Sequence, residues 1–373
     1  MDRNMKKWHS YKLSDVVRFN PSERLLKGEI AKKVPMDLLQ PYTRGISGFE
    51  MASYTGGSKF RNGDTLMARI TPCLENGKTA YVSMLDEDEV GFGSTEYIVF
   101  RNIEGITDNK FVYYFVTSPW FRDIAVKSMV GSSGRQRVQQ AMLENLVVNL
   151  PPLAEQKQIA GILGALDDKI ELNRCINDNL EEQAKALFKS WFVDSDRNEW
   201  VHYELGDITL ITAGGDRPSK YTNKKTIECY VPIYSNGIDN EGLYGYTDVA
   251  KIHEESITIS ARGTIGYVCL RLEPYVPIVR LISIIPNKKE LSAKYLYLWA
   301  LTQNITGTGT TQQQLTVPIF RKTPISIPSD TKLKQFNSIA DPLFSQIESN
   351  KKENIKLSTL RDTLLPKLMS GEL

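Results

Sequence analysis

From Pro151-Pro152 the chain runs to Val193 without another proline. Along it, apolar or amide residues recur at alternating spacings of four and three: Ile159, Leu163, Leu166, Ile170, Asn173, Asn177, Leu180, Ala184, Leu187 and Trp191. This is the seam of a coiled coil, narrower than the apolar stripe of an ordinary surface helix. The pattern returns 177 residues later as Phe336, Ala340, Leu343, Ile347, Asn350, Asn354, Leu357, Arg361, Leu364 and Leu368. Both asparagines recur, and so does the lead-in: Leu150-Pro151 matches Ile327-Pro328, and Gln158 matches Gln335. A repeat of this length that keeps polar seam residues in register points to a duplicated architecture.

A polar residue in an apolar seam costs stability and fixes register. Antiparallel pairing of the two helices makes facing positions sum to 527, so that Asn173 faces Asn354 and Asn177 faces Asn350. Trp191 then faces Phe336, Leu187 faces Ala340 and Ala184 faces Leu343, large against small. Leu166 opposite Arg361 is the one poor match. Parallel pairing would oppose Asn173 and Asn350, with worse size matching.

Each helix follows a globular stretch. Residues 1–150 carry strand-like runs, Asp64–Arg69, Glu96–Phe100 and Leu146–Leu150, separated by glycine turns. Asn109–Val126 reads as helix broken at Ser118-Pro119. Residues 196–328 repeat the plan. Trp200, Tyr203, Leu205, Asp207 and Ile208 match Trp8, Tyr11, Leu13, Asp15 and Val16, and Tyr295–Trp299 parallels Phe111–Phe115. The expected class is α/β: two similar mixed α/β domains, 1–150 and 196–328, separated by two long antiparallel coiled-coil helices, 151–195 and 329–373, with pseudo-two-fold symmetry. The ladder Ile159–Trp191 spans about 50 Å at about 1.5 Å per residue.

Composition narrows the function. The formal net charge is +2, so no global field draws the chain to nucleic acid. Cys73, Cys175, Cys229 and Cys269 are scattered and only three histidines occur, which argues against a zinc site and for reduced thiols in a cytoplasmic protein. No apolar run is long enough to span a membrane. No phosphate-binding GxxxxGK[ST] loop and no Asn-Pro-Pro-aromatic methyltransferase motif occurs; Asn149-Leu150-Pro151-Pro152 has the wrong order. Asp167-Asp168-Lys169 and Asp330-Thr331-Lys332 fit a loose nuclease pattern, yet both lie on the long helices.

Binding fits better. Residues 1–150 hold 20 Lys and Arg against 17 Asp and Glu, whereas 151–195 hold five against eight. The cations sit in glycine- and hydroxyl-rich loops, the residue types that read base edges and bind phosphates. The candidate DNA-contacting residues are Arg44, Lys59, Arg61 and Arg69, the loop Ser132, Ser133, Arg135, Gln136 and Arg137, then Arg217, Lys220, Lys224, Lys225 and Arg262, and the loop Thr310, Thr311, Gln312 and Gln313. Ordinary solvated loops are the competing explanation, and for Arg69 and Arg262 an arginine at a strand end pairing an acid. The run Asp86–Glu89 would repel a phosphate backbone.

Three stretches carry a family resemblance: Leu150-Pro151-Pro152-Leu153-Ala154-Glu155-Gln156-Lys157-Gln158-Ile159-Ala160 with Leu166–Ile170, Ser260-Ala261-Arg262-Gly263-Thr264-Ile265-Gly266, and Leu365-Pro366-Lys367-Leu368-Met369-Ser370-Gly371-Glu372-Leu373. Together they resemble the specificity subunit of type I restriction–modification enzymes over the whole chain. The second helix departs at its start, where Pro328–Gln335 lacks the double proline and the Glu-Gln pair. The resemblance implies two target-recognition domains, each reading half of a split double-stranded DNA sequence, with the helices fixing the gap. It implies two methyltransferase subunits as partners, carrying S-adenosylmethionine and methylating adenine N6. It also implies restriction subunits using ATP and Mg in complexes that cleave. The chain itself would bind no cofactor and do no chemistry. Two other classes stay open: a self-contained methyltransferase or nuclease, and a coiled-coil scaffold that never touches DNA.

Overall fold

The computed structural model describes residues 8–195, 200–287, 291–303, 305 and 315–373, except the side chain of Ile319. The chain divides into two compact units, Met1–Arg174 with Lys351–Leu373, and Cys175–Asn350.

In the first unit, Thr65–Ala68 is buried along its whole length, as a strand covered on both faces must be. It lies between Tyr97–Asn102 and Thr79–Tyr81, with Val17–Phe19 beyond, in an antiparallel four-stranded sheet. A second sheet, ordered Glu50–Ser53, Ile30–Val34, Gly91–Gly93, Lys59–Phe60, is mixed, because Ile30–Val34 and Gly91–Gly93 run parallel. The helical region breaks where the sequence places the break, into Asn109–Thr117 and Pro119–Lys127. Ser118 serves both ends. Its backbone N–H closes the first helix, its Oγ accepts from Phe121 N, and Pro119 opens the second, where a missing N–H costs nothing. Phe100, Phe111, Tyr114 and Phe121 fill the core between helices and sheet.

The second unit has the same plan. Thr209–Ala213, Ile282–Pro286, Ser256–Ile259 and Val268–Arg271 form one sheet. Leu243–Thr247, Val231–Tyr234 and Val276–Pro277 form another, again with one parallel pair. Helix Ala293–Leu301 takes the place of Asn109–Thr117. In each unit a two-stranded ribbon ties the start of the domain to the strand before a long helix: His9–Lys12 with Val147–Leu150, and Val201–Glu204 with Pro324–Ile327.

The long helices are Leu153–Phe188, continued by a π-turn over Lys189–Val193, and Asp330–Ser370. Their pairing is antiparallel in the expected register. In the first unit Asn173 Nδ2 donates to Asn354 Oδ1 at 2.9 Å, and Asn354 Nδ2 to the Ile170 carbonyl at 3.3 Å. In the second, Asn350 Nδ2 donates to Asn177 Oδ1 at 2.8 Å, and Asn177 Nδ2 to the Ile347 carbonyl at 3.4 Å. Each asparagine pair thus uses one amide-to-amide bond and one bond to a carbonyl three residues before the partner. Apolar layers flank these bonds. Ile159, Leu163, Leu365 and Leu368 pack in the first unit, while Trp191 lies 6.4 Å from Phe336 beside Ala340 and Ala184 in the second.

The poor match of Leu166 with Arg361 resolves through its neighbour. Arg361 Nη1 reaches Asp167 Oδ1 at 2.7 Å, and Tyr114 OH donates to Asp167 Oδ2 at 2.7 Å, with Asp167 only 5% exposed. The positions 177 residues away from Asp167 and Arg361 are Phe344 and Ala184, both buried in the apolar core of the second unit. One unit closes its seam with an ion pair where the other uses carbon.

Removing one partner of a buried pair strands the other charge, whereas replacing both with apolar groups is close to neutral. Arg361→Ala should therefore cost about 3 kcal/mol in denaturant unfolding, at the low end of the range for breaking such pairs because Arg361 also touches the exposed Asp362. Asp167→Phe with Arg361→Ala, which imports the second unit's pair, should recover most of that loss. A single variant within about 0.5 kcal/mol of the parent would show that the pair contributes nothing.

Candidate nucleic-acid interface

In the first unit, three loops converge at one end of the antiparallel sheet. Arg69 follows strand Thr65–Ala68, and its N–H donates to the Glu96 carbonyl at 2.9 Å. Its own carbonyl accepts from Val138 N at 2.8 Å, and Thr71 N donates to the Gln136 carbonyl at 3.1 Å. Val130 and Arg137 exchange backbone bonds, so Gly131–Gln136 projects as a clamped loop. Gly131 sits at φ +135° with the Arg135 carbonyl 2.9 Å from where a Cβ would lie, so a side chain there would clash. Arg137 holds Glu96 through Nε and Nη2, the latter at 2.7 Å, and Arg69 Nε lies 4.0 Å from the same carboxylate. Two arginines 68 residues apart in sequence thus share one acid. Ser132, Ser133 and Arg135 are exposed, and Gln136 is half-buried.

The other candidates of this unit have partners of their own within the fold. Arg44 donates to Asp168 and to the Gly164 carbonyl, tying its loop to the first long helix. Burial works against its charge, but the hydrogen bond to Asp168 together with the charges of Tyr114, Asp167 and Asp168 raises Arg44 above the ordinary arginine value. Lys59 Nζ donates to the carbonyls of Glu23 and Leu25 at 2.8 and 3.2 Å and lies over the Tyr54 ring. Arg61 pairs with Glu23 at 2.7 Å, which also binds Arg101 at 2.6 Å. Burial opposes the Glu23 charge, yet the bonds from Arg101 and Arg61 prevail and hold its carboxyl below the usual range. The acidic run is partly neutralised by Lys32, 2.9 Å from Asp86 and 2.8 Å from Glu89.

In the second unit, Arg262 lies half-exposed in the loop after strand Ser256–Ile259. The Asn236 side chain anchors that loop, accepting from Ala261 N at 2.7 Å and donating to the Val279 carbonyl at 2.6 Å. Arg217 is exposed and stacks on Tyr221 at 3.9 Å while donating to Tyr244 OH at 3.0 Å. Lys220 lies 3.3 Å from Asp248 and 3.4 Å from Glu228. Lys224 and Lys225 are exposed and form no ion pair among the described residues. Thr310, Thr311, Gln312 and Gln313 lie outside the described residues. Sequence reading overlooked Glu96, Asn236 and Arg280. The first two look like ordinary strand-end polar residues, and Arg280 sits in the apolar stretch 278–285, where no Gly, Pro, Asn or Asp marks a turn.

Among the described residues no cluster of His, Cys, Asp or Glu is arranged to hold a metal, and no helix is long and apolar enough to cross a membrane. A mixed α/β domain present twice, each copy seated on paired antiparallel helices with basic loops at a sheet end, defines a duplicated recognition module. The chain belongs to the type I restriction modification DNA specificity domain family, whose model matches residues 5–182 and 197–359. It is 27% identical over 315 residues to the MjaIX specificity subunit of Methanocaldococcus jannaschii, covering 74% of this chain and 72% of that one. It is 26% identical over 408 residues to the HindI specificity subunit of Haemophilus influenzae, covering 84% and 87%. The crystal structure of a type I restriction-modification system S subunit from M. genitalium shares the fold, with a TM-score of 0.56, 19% identity, and 99% and 97% of the two chains covered. The chain is thus a specificity subunit with DNA target-recognition domains, the non-catalytic component of its class.

The geometry separates cations that hold the fold from cations that stand free. Arg44→Ala should lower stability by about 1 kcal/mol, since it removes a hydrogen bond to a charged group at a half-exposed site. Lys224→Ala with Lys225→Ala should stay within about 0.5 kcal/mol of the parent. Thermal unfolding of the two variants side by side checks the contrast, and equal effects would refute it.

Proposed function

We propose that this chain reads a bipartite double-stranded DNA target, one half with each recognition domain, and positions two adenine-N6 methyltransferase subunits on it. S-adenosylmethionine would be carried by those partners, and ATP and Mg by restriction subunits where the complex also cleaves. The observation that carries this reading is the duplication: one recognition domain occurs twice, on helices whose asparagine pairs fix an antiparallel register. A duplicated recognition domain suits a target whose halves are read separately. Two domains also share the specificity, since each needs only a few base contacts at about 1–3 kcal/mol each. Within each domain, Ser132–Arg137 with Arg69, and Arg217, Lys224, Lys225 and Arg262, are the residues proposed to face DNA. Arg135, Lys224 and Lys225 are exposed and form no ion pair among the described residues, which suits them to phosphates; Arg137, bonded to Glu96, and Arg69 beside the same carboxylate suit base edges.

The decisive experiment is methylome sequencing of a host expressing this chain with its methyltransferase partner, against deletion of this chain alone. One bipartite adenine motif should vanish on deletion. Methylation unchanged at every motif would leave a scaffold that does not read DNA. The helices are proposed to set the gap between the half-sites. Removing one heptad from each at matched positions should shorten that gap, and an unaltered gap in an intact complex would sink the ruler role.

A further inference from the structure

The turn Ile278–Leu281 closes with Leu281 N donating to the Ile278 carbonyl at 3.0 Å. Its central residues both have positive φ, Val279 at 52° and Arg280 at 61°. Two consecutive positive φ values mark a type I′ turn, which favours Asn-Gly. A β-branched valine there is a genuine outlier. Burial does not repay the strain, because Val279 is 51% exposed and Arg280 is exposed as well. The surroundings impose it instead. Val279 N donates to the Gly215 carbonyl and Arg280 N to the Gly214 carbonyl, each at 2.9 Å, and Asn236 Nδ2 holds the Val279 carbonyl. Gly214 admits this approach only as glycine, since a Cβ would lie 2.7 Å from Ile278 N. Arg280 itself forms no ion pair among the described residues.

A turn of another kind stands at the equivalent place in the first unit. Ser94–Tyr97, 184 residues earlier, closes with Tyr97 N donating to the Ser94 carbonyl at 3.3 Å and leads into the equivalent strand. Neither Thr95 nor Glu96 has positive φ there. Glu96 occupies the position of Arg280, and it is the acid on which Arg69 and Arg137 meet. Asn236 supplies the matching link in the second unit, tying the turn of Arg280 to the loop of Arg262. The turn therefore lies at the same sheet end as the basic loops in each unit, and carries a charge of opposite sign in the two.

We propose that Arg280 is a base-reading residue of the second recognition domain, held by its strained turn to meet a guanine edge in the major groove. The proposal rests on the DNA-reading function inferred above. A phosphate contact needs only a flexible cation, which Lys224 and Lys225 already supply. A guanine contact needs the planar guanidinium fork and gains from a fixed point of attachment, which a turn backbone tied by three hydrogen bonds provides. Strain retained at an exposed position with no packing return is the mark of such a constraint.

Three variants in the intact complex test it: Arg280→Ala, Arg280→Lys, and Val279→Asn with Arg280→Gly. Methylome sequencing reads specificity, and thermal unfolding of the purified chain reads stability. Arg280→Ala should leave the unfolding temperature unchanged and relax one base position in one half of the motif, with discrimination there falling roughly tenfold or more. Arg280→Lys should not restore it. The Asn-Gly pair should unfold at higher temperature and relax the same position. A motif unaltered by Arg280→Ala overturns the proposal, as does a uniform loss of methylation rescued by lysine, or an Asn-Gly variant no more stable than the parent. If deletion of the whole chain removes the motif while Arg280→Ala does not change it, only the role of Arg280 falls. If deletion changes nothing, the DNA-reading function falls with it.

Discussion

The hydrogen bond between buried seam asparagines is the constraint on which each unit depends. An amide removed from water without a partner costs on the order of 1–3 kcal/mol in proteins. In the first unit the Asn173 amide nitrogen meets that demand with Asn354 and Glu353, leaving its Oδ1 without a partner among the described residues, and in the second Asn350 meets it at both ends with Asn177 and Gln346. A slip of either helix by one heptad would break both amide-to-amide bonds, setting the asparagines against leucine, isoleucine or alanine and, in one direction, Asn173 against Arg361. The apolar layers alone do not discriminate so sharply, because leucine against isoleucine is tolerated in several registers. The amides therefore choose the register and the apolar layers stabilise it. Each globular domain is then located through ribbon strands and core side chains that pack on the helix faces so placed.

Within that shared scheme the seams of the two units differ at a buried charged layer. Asp167, Arg361 and Tyr114 make a buried charged cluster where the second unit packs Phe344 and Ala184 into its apolar core. A buried ion pair is weak support for stability, since desolvation offsets much of the attraction. What it gains is discrimination. A helix half carrying Asp167 tolerates Arg361 opposite and rejects alanine, so the first unit cannot exchange its seam for the second unit's without stranding a charge. In a duplicated fold, where each helix resembles the other, a single charged layer distinguishes the two seams.

The helices, their register and the break at Ser118-Pro119 were legible because they depend on local periodicity and caps. Seam spacing, amide placement and an N1 proline are each written within a few residues. The ion pair was not legible, since Asp167 lies one position off the seam and only the fold shows Arg361 reaching past Leu166. The basic loops were legible as loops, but not by what their cations do. Arg44, Lys59 and Arg61 read like Arg135 in sequence, yet three-dimensional neighbours spend the first three on an aspartate, two carbonyls and a glutamate. Arg280 was hidden for a further reason. Its turn runs through Ile278-Val279-Arg280-Leu281, which has none of the residues that announce a turn, because the strain is imposed by Gly214, Gly215 and Asn236 from elsewhere in the chain.

That internal spending of charge bears on how such a chain discriminates. Nucleic-acid affinity scales with the phosphates that free cations neutralise, and each such contact is blind to sequence. Here the formal charge is only +2, and many loop cations are already committed to carboxylates or carbonyls. An interface with few free cations binds weakly at physiological salt on its own, so sequence-blind binding is small. On the proposed function, base contacts from a few arginines then form a larger share of what binding there is. A subunit built in this way gains selectivity by giving up affinity, and on the proposed function the lost affinity is restored by the partners that close around the same DNA.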